Sequence, residues 1–257
     1  MSDEPAWPPE PLHVAVDVTV FSVVDDRLHV LLIRRPYEPF EGRWALPGTF
    51  SRPDETLEES PRRALRDKAG LEGVYLEQLA TYDQPPHGEA PGRDPRGRVV
   101  SVAFLALIGA GRVGAGEQVR WWDVAELPTP LAFDHERILR DGVERLRAKT
   151  RYAPVAFQLL PDEFTLTELQ GVYEAVMGES LDVRNFRRDL KAAGVIEPTG
   201  DTVTEGPGRP AKLYRHVPGS FAVDAEERRV AERIARSREG DAGDHGGAGH
   251  DGGEGGG

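Results

Sequence analysis

The sequence predicts an α/β domain with a mixed sheet and flanking helices, followed by a smaller winged helix-turn-helix domain. Up to about residue 152, segments of alternating apolar residues are interspersed with segments of helical spacing, which is typical of a compact α/β fold. After Pro154, two short helical segments precede two strand-like segments, and this order is the outline of a winged helix-turn-helix. A chain of 257 residues is long enough for two domains that each bury a core.

The elements of the first domain follow from its periodicity. Alternating valines predict a strand over 14–20, which turns at Asp25-Asp26 into a second strand over 28–35, so the pair is expected to form a β-hairpin. The segment 36–48 is rich in Pro, Gly and aromatic residues and is predicted as a loop. A helix that Gly70 stops, two strands and a last helix are expected at 57–69, 76–82, 99–108 and 133–152.

The second domain begins with a capping box, in which Thr165 and Glu168 are expected to satisfy each other's free backbone N–H groups. The helix that follows is predicted to end at Gly178. A second helix, from Asp182 to Gly194, is expected to bury one apolar side, and two strands surround a turn-rich segment at 206–210. The predicted buried residues of the second helix are Val183, Phe186, Leu190 and Ala193, and the predicted strands are 195–198 and 212–217.

We therefore divide the chain into five segments. The division comprises a flexible N-terminal segment 1–12, an α/β domain 13–152, a winged-helix domain 153–220, a C-terminal helix 221–239 and a disordered tail 240–257. The tail is expected to be disordered because its Gly/Asp-rich composition cannot supply a core.

Composition excludes several classes of protein. The absence of cysteine excludes disulfides, thiolate catalysis and Cys-ligated zinc. No apolar run is long enough to span a bilayer, and the acidic, proline-rich N-terminus is unlike a secretory signal, so we expect a cytoplasmic protein without a membrane partner. The net charge of −12 argues against nucleic-acid binding by the chain as a whole, but a basic cluster lies near 184–191.

One segment carries a degenerate catalytic motif. Residues 46–50, with Glu55, Arg63 and Gly70-Leu71, resemble the Nudix box, G-x5-E-x7-R-E-U-x-E-E-x-G-U, and residues 42–48 and 120–128 resemble the flanks of Nudix domains. In Nudix enzymes the last three Glu of the box hold divalent cations against a pyrophosphate. In the register fixed by Gly70-Leu71, the first Gly falls on Thr49, and these three positions fall on Ala64, Asp67 and Lys68. We therefore expect no catalytic residue, no metal site and very weak or absent hydrolysis.

The loop and strand at 92–101 resemble Nudix proteins that handle ADP-ribose. Its arginines can donate paired hydrogen bonds to phosphate, and Asp94 can accept from ribose hydroxyls or order the arginines. Aromatic side chains upstream could stack on adenine. The alternative is a surface loop whose charges pair with each other. The predicted effector-binding residues are Trp44, Phe50, Arg63, Asp94, Arg96 and Arg98, with Arg93 as a further phosphate donor.

The second helix of the C-terminal domain is predicted to bind DNA. Arg184, Arg188 and Lys191 recur at spacings of four and three, so they share a face turned away from the apolar side. Arg and Asn are natural partners of guanine and adenine in the major groove. The alternative is a solvated helix face. The predicted DNA-binding residues are Arg184, Asn185, Arg187, Arg188 and Lys191 on the helix, and Arg209 and Lys212 on the wing.

Taken together, the degenerate Nudix box, the helices at 164–174 and 181–188 and the wing at 208–215 resemble the NrtR family of Nudix-related transcriptional regulators, over nearly the whole chain except its two tails. The resemblance implies a homodimeric bacterial regulator, usually a repressor of NAD-metabolism genes. In such a protein the Nudix domain binds ADP-ribose or a related nucleotide, without a required cofactor, and thereby releases a palindromic operator in double-stranded DNA.

Two other functions are compatible with the sequence. The first is a Mg²⁺-dependent Nudix pyrophosphohydrolase that acts on ADP-ribose-like substrates and carries an accessory C-terminal domain. The second is a nucleotide-sensing scaffold that binds protein rather than DNA, for which a basic helix would be unnecessary.

Overall fold

A long first strand, β1 (His13–Val24), organises the larger sheet of the computed structural model, which describes residues 12–84, 92–109, 116–151, 153–204 and 210–217. β1 pairs antiparallel with β2 (Arg27–Arg34) and parallel with β6 (Val99–Leu107). Its side chains alternate between two cores, with Val16, Val18 and Val20 on one face of the sheet and Phe21 and Val23 on the other. The predicted hairpin and mixed sheet are confirmed.

The remaining strands extend this sheet to both sides. β5 (Tyr75–Tyr82) pairs antiparallel with β6, while β3 (Trp44–Ala45) and β7 (Val119–Asp123) pair with β2, and β4 (Gly48–Phe50) pairs with β1. β7 was not predicted, and β3 lies in the segment predicted as a loop. Both form because β2 still offers free backbone groups along its length, which periodicity along the chain cannot show.

Two helices cover the two faces of the sheet. α1 (Glu59–Ala69) buries Leu65 in the core of Val16, Val18 and Val20, and it ends at Gly70, whose φ of 65° is the left-handed cap that glycine favours. On the opposite face, α2 (His135–Thr150) buries Ile138, Leu139 and Leu146. The two predicted helices are confirmed, each starting two residues later than expected.

The C-terminal part forms the predicted winged helix-turn-helix. A 3₁₀ helix (Pro154–Leu159), which was not predicted, leads to β8 (Phe164–Thr165), α3 (Leu166–Met177), α4 (Val183–Ala193), β9 (Ile196–Val203) and β10 (Ala211–His216). β10 lies between β8 and β9 in an antiparallel sheet. The capping box is confirmed: Thr165 Oγ1 accepts from Glu168 N at 3.1 Å, and Glu168 Oε2 accepts from Thr165 N at 2.6 Å.

The burial of α4 differs in part from its prediction. Phe186 and Leu190 are buried and Ala193 is half-buried, but Val183 is 44% exposed because it is the first residue of the helix and burial begins one turn later. Asp189 is instead buried, with 7% of its surface exposed. The predicted C-terminal helix 221–239, the tail 240–257, residues 1–11 and the wing residue Arg209 lie outside the described residues.

One apolar core joins the two parts of the molecule. A continuous cluster of buried residues runs from the sheet and α2 through the 3₁₀ helix to α3 and α4. At this junction the guanidinium of Arg147 on α2 donates from Nε to the carbonyl of Val176 on α3 at 3.0 Å. The two halves are therefore packed against each other and do not depend on a free linker.

No helix within the described ranges is long and apolar enough to cross a membrane.

Candidate functional site

A polar cavity, open to solvent, lies where β1, β2, α1 and the start of α2 meet the segment 93–96. Its walls combine cationic, acidic and aromatic side chains. The described residues that line it are Ala15, Asp17, Ile33, Arg35, Tyr37, Leu46, Gly48, Thr49, Phe50, Lys68, Arg93, Asp94, Arg96, Phe133 and His135.

Asp17 is the acidic centre of this cavity. It lies on β1, is 6% exposed, and accepts hydrogen bonds from Ser101 Oγ at 2.6 Å and Arg93 Nη2 at 3.1 Å. Burial by itself would raise the pKa of Asp17, but His135, Arg93 and Ser101 outweigh burial and hold that pKa well below its usual range. The charge of Arg93 is also balanced by Asp134, whose Oδ1 lies 2.8 Å from Arg93 Nη2. Asp17 therefore stays ionised and is largely occupied by protein partners.

His135, the first residue of α2, connects Asp17 to the backbone of the facing segment. Its Nδ1 accepts a hydrogen bond from Leu46 N at 2.9 Å, so this nitrogen carries no proton. The proton is then on Nε2, which faces Asp17 Oδ1 at 3.3 Å and donates to it. The ring thus links the Leu46 backbone to Asp17 and fixes the position of the carboxylate.

Two guanidinium groups stand beside aromatic rings in the cavity. Arg96 lies 5.0 Å from the ring centroid of Phe50 and 5.6 Å from that of Phe133, and Arg35 lies 4.7 Å from that of Phe133. Asp94 orders Arg96, since it accepts from Arg96 N and Nε at 2.9 Å and from Nη2 at 2.6 Å. Phe133, whose ring both arginines contact, has a φ of 55°, an uncommon conformation for a bulky residue.

The surviving Nudix-box pair, Glu55 and Arg63, contacts the strand β4 that lines the cavity. Arg63 donates to both carboxylate oxygens of Glu55, from Nη2 at 2.8 Å and from Nε. It also donates to Thr49 Oγ1 at 3.2 Å and to the Phe50 carbonyl at 2.9 Å. The pair thus fastens β4, which lines the cavity, to α1.

The three ligand positions of the Nudix box have separate surroundings in the structure. Ala64 is buried at 1% exposure, whereas Asp67 is 52% exposed and faces Arg66 at 3.5 Å. Lys68 lines the cavity and donates from Nζ to the carbonyl of Gly48. The described residues contain no group of three or more His, Asp or Glu side chains that could hold a metal ion.

α4 presents the predicted cationic face. Arg184, Arg188 and Lys191 are exposed on it. Arg187 and Asn185 are half-buried, and Arg187 donates to Thr167 Oγ1 on α3 at 3.2 Å. Asp182 begins the helix by accepting from the backbone N–H of Asn185 at 2.7 Å. The helix is thus capped at its start and packed on one side, while its cations point outward.

Comparison with known proteins finds both halves of this architecture together. The model of the NUDIX domain matches residues 12–142, and that of the NrtR DNA-binding winged helix domain matches residues 156–216. The ADPR responsive transcriptional repressor NtrR of Acinetobacter baylyi is 40% identical over 214 residues, which cover 80% of this chain and 82% of the relative. The chain belongs to the NrtR family of Nudix-related transcriptional regulators.

Solved structures agree with this assignment. Shewanella oneidensis NrtR complexed with a 27mer DNA is 37% identical and matches with a TM-score of 0.72, over 80% of this chain and 94% of that one.

The first half of the chain also has a sequence relative among enzymes. An ADP-ribose pyrophosphatase of Methanocaldococcus jannaschii is 37% identical over 133 residues, which cover 51% of this chain and 73% of the relative. The predicted Nudix fold followed by a winged helix is confirmed.

In this member of the NrtR family, the structure places half of the predicted effector residues in the cavity. Phe50, Asp94 and Arg96 line it, and Arg63 supports it through Thr49 and Phe50. Two residues lie elsewhere. Trp44 packs edge-on against Trp122 at 5.5 Å, and Arg98 pairs with Asp83, with Nη2 to Oδ2 at 2.7 Å.

Other cavity residues of this NrtR-family chain were not predicted. Asp17, Arg35, Phe133 and His135 were missed, and Lys68 was considered only as a lost metal ligand. Asp17 did carry a signal, because it is an acid within a strand whose neighbours are valines. Of the wing residues, Lys212 is exposed on β10.

Proposed function

We propose that this chain is a DNA-binding transcriptional repressor that senses ADP-ribose, or a related nucleotide, in its Nudix cavity. The observation that carries the proposal is a cationic cavity and an outward-facing cationic helix in one chain, joined by a continuous core. The name of the A. baylyi relative supports both parts, because that protein is an ADPR-responsive repressor.

The charges of the cavity support an anionic effector. Among its described lining residues, Arg35, Lys68, Arg93 and Arg96 are cationic, whereas the carboxylates are Asp17 and Asp94. Asp17 and Asp134 compensate Arg93, and Asp94 compensates Arg96. Arg35 and Lys68 therefore supply the excess positive charge. A diphosphate would be bound by such groups, and the rings of Phe50 and Phe133 would accept a base or ribose.

We propose further that the chain is not an enzyme. Of the three positions that hold metal-ligating carboxylates in Nudix enzymes, the one that lines the cavity here is occupied by Lys68. The same ligand would then be held without being consumed, as a sensor requires. Sustained release of AMP from ADP-ribose in the presence of Mg²⁺ or Mn²⁺, abolished by Glu55→Gln, would contradict this part of the proposal and favour the pyrophosphohydrolase.

The exposed face of α4 is proposed to enter the major groove of double-stranded DNA, with Arg184 and Arg188 near base edges and Lys191 and Lys212 near phosphates. A homodimer would present two such helices to a palindromic operator, and by family resemblance the regulated genes belong to NAD metabolism. Such a regulator would work in the cytoplasm.

Selection of genomic DNA fragments by the purified full chain tests this function. The wild-type protein is expected to enrich fragments that share a palindrome, and the doubly substituted Arg184→Ala/Arg188→Ala protein is expected to lose that enrichment, because each good base contact contributes about 1–3 kcal/mol. Arg62→Ala, which removes an exposed cation from α1, is the matched control and should select the same fragments. Addition of ADP-ribose should release them.

Two results would overturn the proposal in different places. Selection that is indifferent to the loss of Arg184 and Arg188 would remove α4 as the DNA-binding helix. Selection that depends on these residues but does not respond to ADP-ribose would keep the repressor and remove the effector.

A further inference from the structure

The Nudix fold implies a divalent cation, but the residues of this cavity do not fit one. At the three ligand positions of α1, Ala64 has no oxygen, Asp67 lies outside the cavity lining, and only Lys68 reaches the cavity. Asp17, a buried carboxylate in the same cavity lining, already accepts from Arg93, Ser101 and His135. Hard divalent cations need several free oxygen ligands, which these residues do not provide.

The ammonium of Lys68 is held in a defined place. Its Nζ donates to the Gly48 carbonyl, and Gly48 itself is pressed against Asp17. A Cβ at Gly48 would lie 2.3 Å from Asp17 Oδ1 and 2.7 Å from the Val16 carbonyl, so only glycine allows this approach. The ammonium, the carbonyl and the carboxylate therefore form one packed wall of the cavity.

An anion bound beside Lys68 would stabilise the charged form of its ammonium group. An ammonium has three donors, and the Gly48 carbonyl uses one of them. Burial lowers the pKa of Lys68; the charge of Asp17 opposes this effect, while those of Arg35 and Arg63 reinforce it. A desolvated cation whose neighbours include two other cations is stabilised when an anion binds beside it.

We propose that the Lys68 ammonium takes the place of the divalent cation of Nudix enzymes and binds the diphosphate of the effector directly, so that binding needs no metal. The inference rests on the proposed effector function and specifies how the site holds its ligand. Arg35, the second source of excess positive charge in the cavity lining, supplies the remaining charge that a diphosphate requires.

Isothermal titration of the full chain with ADP-ribose, in buffer with EDTA and in buffer with Mg²⁺, tests the inference. The wild-type affinity is expected to be the same in both buffers. Lys68→Gln should weaken binding about tenfold or more in both. Lys68→Glu should weaken it further in both buffers, because it places a carboxylate where the ammonium would contact the diphosphate.

Arg62→Gln removes an exposed cation from the same helix and is expected to bind ADP-ribose as the wild type does. Thermal unfolding of every variant, followed by circular dichroism, shows whether it is folded before it is titrated. The same titrations with inorganic pyrophosphate separate the role of Lys68 from the identity of the effector.

The outcomes are distinct. Wild-type binding that is lost with EDTA, or Lys68→Gln binding that equals the wild type, would overturn the role of Lys68. Binding of pyrophosphate but not of ADP-ribose would overturn the proposed effector and leave Lys68 in place. Failure of the wild-type protein to bind either compound would overturn both.

Discussion

Glu55 shows how a residue of a catalytic motif can have a structural role. In the structure its carboxylate accepts from Arg63, from Ser60 Oγ at 3.0 Å and from Arg52 N at 3.4 Å. The hydrogen bond from Arg63 is the main reason why the pKa of Glu55 is lowered from 4.5 to about 2, and Ser60 and Arg52 add to this effect against burial. Glu55 therefore anchors the arginine that fastens β4.

Glu55→Gln is expected to lower stability at neutral pH and to flatten its dependence on acid. Since the folded pKa lies below the unfolded value, the ionised group stabilises the fold above about pH 4.5, and this contribution is lost as the pH falls toward 2. Urea unfolding at a series of pH values should show that, between about pH 4.5 and pH 2, the variant takes up about one proton fewer on unfolding than the wild type does.

Glu58→Gln is the matched control for Glu55→Gln, because Glu58 is an exposed neighbour. It should reproduce the wild-type pH profile. If the profile of Glu55→Gln also coincided with that of the wild type, the Glu55–Arg63 pair would not stabilise the fold.

The residue scale also shows what the sequence can predict of a site. Phe50, Asp94 and Arg96, which line the cavity, were predicted because a phosphate-binding site needs cations, with acids that order them, and because they lie near recognisable motifs. Of the two roles considered for Asp94, the structure supports the ordering of Arg96. Asp17 and His135 are 118 positions apart and meet only through pairing of the sheet and packing of α2, which no local pattern contains.

At the scale of the element, α4 combines exposed cations with a single buried acid. Arg188 is 67% exposed at its side chain, and its Nε donates to Asp189 Oδ1 at 2.9 Å, while the Asp189 side chain is 8% exposed. An acid in a helix that faces phosphates is unfavourable unless it orders a partner. Here it fixes one edge of the Arg188 guanidinium and leaves the terminal amino groups toward solvent.

Asp189→Asn is therefore expected to weaken binding to the selected operator about tenfold, with little change on an unrelated duplex, because a less ordered Arg188 loses more freedom on contacting a base. Fluorescence anisotropy with both duplexes measures the ratio. Lys191→Ala serves as the contrast, since the loss of a phosphate contact should weaken both duplexes alike. An equal loss on both duplexes for Asp189→Asn would remove its positioning role.

Elements with strong periodicity were predicted and weak ones were not. β1 was visible because valines alternate over its first half, and α3 because a capping box precedes an apolar face. β7 has five residues, none of them fully buried, so it lacks the alternation of a half-buried strand. Its existence depends on the edge of β2, which is a property of the sheet and not of the segment.

For the whole molecule, the structure connects the cavity to the winged-helix part through β1 and α2. β1 carries Asp17 and continues to the turn at Asp26, which approaches Gly171 on α3 so closely that a Cβ there would lie 3.0 Å from Asp26 Oδ1. α2 begins with His135 at the cavity and reaches α3 through Arg147. A change at the cavity can therefore reach α3 in two ways, through β1 and its turn at Asp26 or through α2 and Arg147.

Arg147→Ala tests whether the second route carries the response. The variant loses the hydrogen bond to the Val176 carbonyl, so that only the shared apolar core still couples α2 to α3, and we expect the factor by which ADP-ribose weakens operator binding to fall about fivefold or more. The affinities for ADP-ribose alone and for operator alone should change much less, because Arg147 is absent from the described lining of the cavity and from the exposed face of α4. Arg145→Ala is the matched control, since this arginine lies on the same helix but contacts the Leu79 carbonyl and Glu77 within the first domain. Operator titrations with and without ADP-ribose give the factor for each protein, and a response of Arg147→Ala equal to that of Arg145→Ala would leave the turn at Asp26 and the shared apolar core as the routes between cavity and DNA.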